Sequence, residues 1–206
     1  MTRNTKGFVV ALLAILVATA LSASMASATS FTASSYPTTI SGGQNEAEPI
    51  KWNIDGYETR CQTLEFSGEL KEKTSTLTLQ GFTWGCTFGG LNTTIVMNGC
   101  DYRLHLPAEG SLATMELACP AGKSITVSPG SGACSVHILP FSTKAHLAAS
   151  NGGGGTVKLA FTVGGISVSL TDASPLFCPF TGNTTVENAT YTGNATLSGS
   201  SAIDIG

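Results

Sequence analysis

From residue 75 onward the chain reads as short runs in which apolar residues alternate with hydroxyl-bearing ones. The runs are "STLTLQGF" (75–82), "TTIVMN" (93–98), "YRLHL" (102–106), "SITVS" (124–128), "CSVHIL" (134–139), "TVKLAFTV" (156–163), "GISVSL" (165–170) and "ATYTGNATL" (189–197). A period of two sends successive side chains to opposite faces of a strand. An apolar row beside a Thr/Ser row therefore predicts sheets with one buried and one wet face. β-Branched residues fill the runs, and Gly, Pro, Asn or Ser separates them, as strands require. "SLATMELA" (111–118) also fits one or two helical turns, but its neighbours favour a strand. Many short strands in series predict an all-β fold, an antiparallel β-sandwich or barrel-like sandwich.

Turn chemistry suggests which runs pair. Asn98-Gly99 suits the positive φ angles of a two-residue hairpin between 93–98 and 102–106. "SPGSG" (128–132), "PAEG" (107–110) and "KEKT" (71–74) close three further candidates. "SNGGGGTV" (150–157) reads as a flexible loop or a hairpin tip inside one sheet system.

The cysteines sharpen these pairings. Cys61, Cys86, Cys100, Cys119, Cys134 and Cys178 are an even set. Their shortest separation is 14 residues, whereas a zinc site needs close pairs such as Cys-x2-Cys; three disulfides are expected instead. If Leu70 faces Ser75 across "KEKT", Cys61 falls within two residues of facing Cys86. If Leu106 faces Ser111, Cys100 falls within two residues of Cys119. Near-register cysteines meet the short Cα separation a disulfide needs. The preferred set is Cys61–Cys86, Cys100–Cys119 and Cys134–Cys178; the rival joins Cys119 to Cys134 and leaves Cys100 for Cys178.

The first 28 residues break the alternation. "MTRNTKG" carries Arg3 and Lys6, "FVVALLAILVATAL" (8–21) is an uncharged apolar run of 14 residues, and small residues follow up to Ala26-Ser27-Ala28. This is the layout of a secretory signal cleaved after Ala28. The run is short for a bilayer span, and an uncleaved N-terminal anchor is the alternative. The expected organisation is a signal peptide over 1–28 and a single β-rich domain over 29–206, released outside the cell, with no membrane contact in the mature form. The net charge of −3 becomes −5 once Arg3 and Lys6 are removed. Such a surface offers nucleic acid no basic footprint.

Catalytic motifs are missing. "ACPAGKSITVS" (118–128) holds Gly122-Lys123-Ser124, the end of a phosphate-binding loop. That loop needs a glycine five positions earlier and a helix afterwards. Leu117 occupies the glycine position, Pro120 lies inside, and "SITVS" reads as a strand; an ordinary turn beside Cys119 is expected. Gly-x-Ser-x-Gly, Ser-x-x-Lys and His-Glu-x-x-His do not occur. His105, His137 and His146 leave room for a triad set by geometry. The first two sit in strand patterns that favour cross-strand or surface roles, and nothing ties His146 to an acid or a nucleophile. No carboxylate pair is singled out for glycoside hydrolysis. No catalytic, cofactor-binding or metal-binding residue is assigned. Asn92, Asn183, Asn188 and Asn194 fit the Asn-x-Thr acceptor pattern, which arises easily in a Thr-rich chain. Trp52, Trp84, Tyr57 and Tyr102 are candidates for a carbohydrate face, with core or rim packing the commoner use.

"MNGCDYRLHL", "ACPAGKSITV" followed by a Cys-Ser-Val strand, and "ENATYTGNATLSG" resemble a group of uncharacterised exported, disulfide-containing β-rich proteins of high-GC actinobacteria. The resemblance implies an exported β-rich protein and supplies no activity. The expected role is binding or structural, at the cell surface or beyond it, with a surface glycan or protein as partner. The rival is a secreted hydrolase of polysaccharide or peptide, and a barrel carrying a small apolar ligand is a third option.

Overall fold

The computed structural model describes residues 30–107, 113–130, 134–144, 146–171 and 184–206, with the backbone alone of Lys144 and His146. Every regular element among them is a strand. In chain order these are β1 (Phe31–Ala33), β2 (Thr38–Gln44), β3 (Lys51–Ile54), β4 (Tyr57–Leu70), β5 (Thr76–Phe88), β6 (Leu91–Val96), β7 (Asp101–His105) and β8 (Thr114–Ala118). They continue with β9 (Ile125–Pro129), β10 (Ser135–Ile138), β11 (Phe141–Lys144), β12 (His146–Gly152), β13 (Thr156–Thr171), β14 (Thr184–Gly199) and β15 (Ile203–Ile205).

All pairings are antiparallel, and eight strands close a barrel in the order β5, β6, β9, β10, β13, β14, β2, β4 and back to β5. β3 bridges β14 and β4 further along the same gap. Four strands, β4, β5, β13 and β14, are long enough to carry two sets of neighbours. β5 pairs with β6 over Cys86–Phe88 and with β7 over Thr76–Gln80. β13 pairs with β10 over Val168–Thr171 and with β12 over Thr156–Thr162. One half of the molecule is thus a closed ring. In the other half β5, β7, β8 and β11 form one wing, and β12 ends the opposite wing.

The long strands change their inward side where the halves meet. On β13 the buried residues are Val157, Leu159, Phe161 and Val163, then Ile166, Val168 and Leu170, with a register shift against β14 between Val163 and Ile166. On β5 they pass from Leu77 and Leu79 to Cys86 and Phe88. At this waist Tyr191 stacks on Trp52 with ring centroids 4.0 Å apart and on Tyr102 at 5.7 Å, while Phe161 packs beside it at 5.0 Å. Stacked pairs add about 0.5–1.5 kcal/mol each beyond the burial itself. Trp52 and Tyr102, candidates for a sugar face, are therefore core residues.

A two-stranded ribbon of β1 and β15 lies across the open half. Phe31 N–H donates to the Thr74 carbonyl at 2.7 Å, and Thr74 N–H donates back at 3.2 Å. On the other side Ile205 N–H donates to Asn151 Oδ1 at 2.7 Å, and Asn151 Nδ2 donates to the Ile205 carbonyl at 3.1 Å. The Asn151 amide thereby imitates a strand's hydrogen bonds. Phe31, Ile203 and Ile205 are buried beneath the ribbon.

Cys61 faces Cys86 directly and the two are bonded, as are Cys100 and Cys119. Each hairpin is wider by two residues than its turn suggested. Leu79 faces Gly68, which places Leu77 opposite Leu70, because Thr74 in the turn is engaged by Phe31. Cys134 is buried and disulfide-bonded; Cys178, its expected partner, lies outside the described residues. "SLATMELA" yields strand β8, "SPGSG" joins the paired β9 and β10, and the glycine run tips the β12–β13 hairpin. The expected 93–98/102–106 hairpin does not form. Asn98 and Gly99 have φ values of 53° and 78°, and Cys100 N–H bonds the Met97 carbonyl at 2.9 Å, so the turn exists. Its two strands instead share one edge of β5, β6 passing to β9 and β7 to β8.

Candidate functional site

The disulfides suit an oxidising compartment, and they also place the surfaces open to chemistry. Cys86 faces inward on β5; the alternation breaks at Gly85, which has φ 63°, so Trp84 and Phe82, two and four residues back, face outward. Trp84 is 50% exposed and Phe82 49%, and Val96 on β6 is 47% exposed. Across the ladder Phe82 faces Glu65 and Trp84 faces Thr63. An indole and a phenyl ring, two residues apart on one sheet face and bordered by a carboxylate and a hydroxyl, form an amphipathic surface. Rings so placed offer rigid contact area at small entropic cost. Tyr57, 37% exposed, packs near Phe88 with centroids 6.1 Å apart, at the rim of the closed half. Of the four aromatic candidates, two line the surface and two the core.

A second grouping lies on the outer face of β5, β7 and β8. Thr76 Oγ1 and His105 Nδ1 are 2.9 Å apart, and His105 Nε2 is 3.2 Å from Glu116 Oε2. A carboxylate only accepts, so Nε2 carries the proton given to Glu116, and in the neutral ring Nδ1 then accepts from the Thr76 hydroxyl. Arg103 Nη1 lies 3.5 Å from the other Glu116 oxygen. Hydroxyl, imidazole and carboxylate thus stand in a row, the order a nucleophile, base and orienting acid require. The row lies across paired strands, with Thr76 facing His105 and His105 facing Thr114. Ladder pairing engages the strand amides, whereas acyl transfer also needs free N–H donors aimed at a developing oxyanion.

His137 bridges two hydroxyls, Ser124 Oγ at 3.3 Å from Nδ1 and Thr171 Oγ1 at 3.1 Å from Nε2. The His146 side chain lies outside the described residues. Gly122 has φ 71°, and Lys123 N–H closes the turn on the Pro120 carbonyl at 2.9 Å. Lys123 is exposed and β9 follows at Ile125, so the Gly-Lys-Ser stretch is a turn. Among the described residues no three His, Cys, Asp or Glu side chains converge to hold a metal ion.

The voids enclosed by the described residues leave little room for a ligand. One void beside Tyr191 and Phe66 measures about 10 Å³, and one between Trp52 and Ile125 about 20 Å³, at most the space of a water molecule. Burial pushes the Tyr102 hydroxyl up to about 12. Burial and the neighbouring Tyr102 also push Tyr191 well above its ordinary range. Both phenols stay neutral. Comparison with known families, curated proteins and solved structures finds no match for this chain.

Proposed function

We propose that the protein is an exported, non-enzymatic binding protein acting at the cell surface or in the extracellular space, with its signal peptide removed after Ala28. It grips a surface glycan or protein through the outward face of Phe82 and Trp84. The half-exposed Trp84 beside Phe82 carries this reading, because apolar side chains of that size left on a wet face lose burial energy a core position would recover. The leader, with its basic start, apolar run and small-residue end, and the disulfides support export. Retention of the secreted protein on cell-wall material tests it: Trp84→Ala and Phe82→Ala are expected to abolish retention, and wild-type retention in both overturns the reading. The N-terminal residue of the secreted chain is expected to be Thr29.

The rival, a secreted hydrolase of polysaccharide or peptide, has one observation in its favour, the Thr76–His105–Glu116 row. Turnover of ester or glycoside probes that disappears in both Thr76→Val and His105→Ala would establish it.

A further inference from the structure

The outer face of β12, β13 and β14 carries a trough that shares no lining residue with the aromatic face or the histidine groupings. Cross-strand rows build its floor. Ala148 faces Ala160, which faces Asn194; Thr162 faces Thr192 on one side, and Ser150 faces Lys158, which faces Thr196, on the other. Successive rows stand about 7 Å apart along the strands. Hollows of about 480 and 270 Å³ share Ala148, Ala160 and Asn194, the larger in the size range of small-ligand sites.

The segment 45–50, between β2 and β3, forms one wall and is braced throughout. Gln44 Nε2 donates to the Cys61 and Gln62 carbonyls at 3.0 Å each, and Gln44 Oε1 accepts from Ile50 N–H at 3.1 Å. Asn45 N–H donates to the Asn194 carbonyl at 2.9 Å, and Asn45 Oδ1 accepts from Ala47 N–H at 3.0 Å. The Asn194 amide donates to the Glu48 carboxylate. Gly193 has φ +154°, and a Cβ there would lie 2.6 Å from the Ile50 Cα. Glycine is thus what lets the wall sit on the floor. A wall held this way is organised before any ligand arrives.

We propose that this trough binds an acidic saccharide. Its floor is two exposed alanine methyls on the outer sheet face, suited to the C–H face of a sugar ring and too shallow for a large apolar side chain. Its rim presents hydroxyls and amides that both donate and accept, as ring hydroxyls require. The charge balance selects the acid. Lys51 and Lys158 line the trough against one carboxylate, Glu48, already engaged by Asn194. Lys51 pairs loosely with Glu58 at 3.7 Å, outside the trough. Lys158 makes no ion pair among the described residues, so a ligand carboxylate beside it completes the site.

Calorimetric titration of the full chain tests this with oligogalacturonate, an uncharged malto-oligosaccharide of equal length, and polyglutamate. Binding of oligogalacturonate alone, weakening as salt rises, is expected. Lys158→Glu and Ala160→Trp each alter one exposed position, and each is expected to weaken that binding by about tenfold or more, with circular dichroism unchanged. Trp84→Ala is expected to bind as wild type, so failure of this site and failure of the aromatic face are separable. Absence of oligogalacturonate binding overturns the proposal, as does equal binding of either other probe. Wild-type affinity in Lys158→Glu, or loss of binding in Trp84→Ala, overturns it too.

Discussion

The two halves of the molecule close themselves by different means. Around β6, β9 and β10 the ring is continuous, and hydrogen bonding leaves no edge. Around β7, β8, β11 and β12 the sheet stops at two strands that each have one partner among the described residues, β11 on β8 and β12 on β13. There the β1–β15 ribbon and the Asn151 side chain complete what the ladder does not. A continuous ring resists local opening, whereas a ribbon held by few bonds opens first. The four long strands and the aromatic waist join these unequal halves.

The largest effect is expected at the waist. Tyr191→Ala should cost about 3–5 kcal/mol, the range for a buried aromatic truncated to alanine, and should lower the denaturation midpoints of both halves together. Separate transitions by tryptophan fluorescence and far-ultraviolet dichroism would show the halves to be uncoupled. Next, Cys100→Ser with Cys119→Ser opens a bridge spanning 19 residues at a cost of about 3 kcal/mol. Amide exchange should accelerate in β7 and β8 and not in β9 and β10; acceleration in all four would erase the distinction between halves.

Alkaline pH probes the waist without mutation. Tyr102 and Tyr191 have raised folded pKa values, so their contribution is fully present below the unfolded value of 10.0 and is lost as pH rises through the folded values. From pH 10 to about 12, stability should fall by about 1.4 kcal/mol per pH unit for each tyrosine, and Tyr102→Phe should halve the slope of denaturation midpoint against pH. A smaller, local loss is expected of Asn151→Ala. Removing its two bonds to Ile205 should cost about 2 kcal/mol and speed exchange in β15 while the closed ring stays protected. Trp84→Ala should move stability by about 0.5 kcal/mol or less, as surface changes do; a larger loss would make Trp84 part of the packing.

Strands β8, β9, β10 and β13 were legible because each keeps a clean period of two over its length, or over each half of it. β4 was not. "YETRCQTLEFSGEL" shifts its buried positions from Thr59 to Leu64, Phe66 and Leu70, and one strand with two phases looks like none. β13 read as two strands because its phase breaks at Gly164-Gly165, though the backbone continues. The cysteine pairs emerged from counting outward from turns; the two-residue error in the Cys61–Cys86 hairpin came from Phe31, whose bond to the "KEKT" turn is set by tertiary structure. The aromatic candidates could not be sorted, since Trp52 and Trp84 occur in equally plausible strand patterns and only closure decides which face is inside. The Thr76–His105–Glu116 row and the trough depend on strands remote in sequence lying side by side, which no local spacing encodes.

Ser30 and Gly206 exchange backbone hydrogen bonds of 2.9 and 3.0 Å, and Phe31 lies opposite Ile205. Beyond its bridge to Thr74, β1 therefore has no partner on its other edge until β15 has been made. On a ribosome the chain emerges in order and cannot close this ribbon early. β1 must wait, unpaired on that edge, for residues 203–205. Assembly of the open half is thus timed by the arrival of residues 203–205.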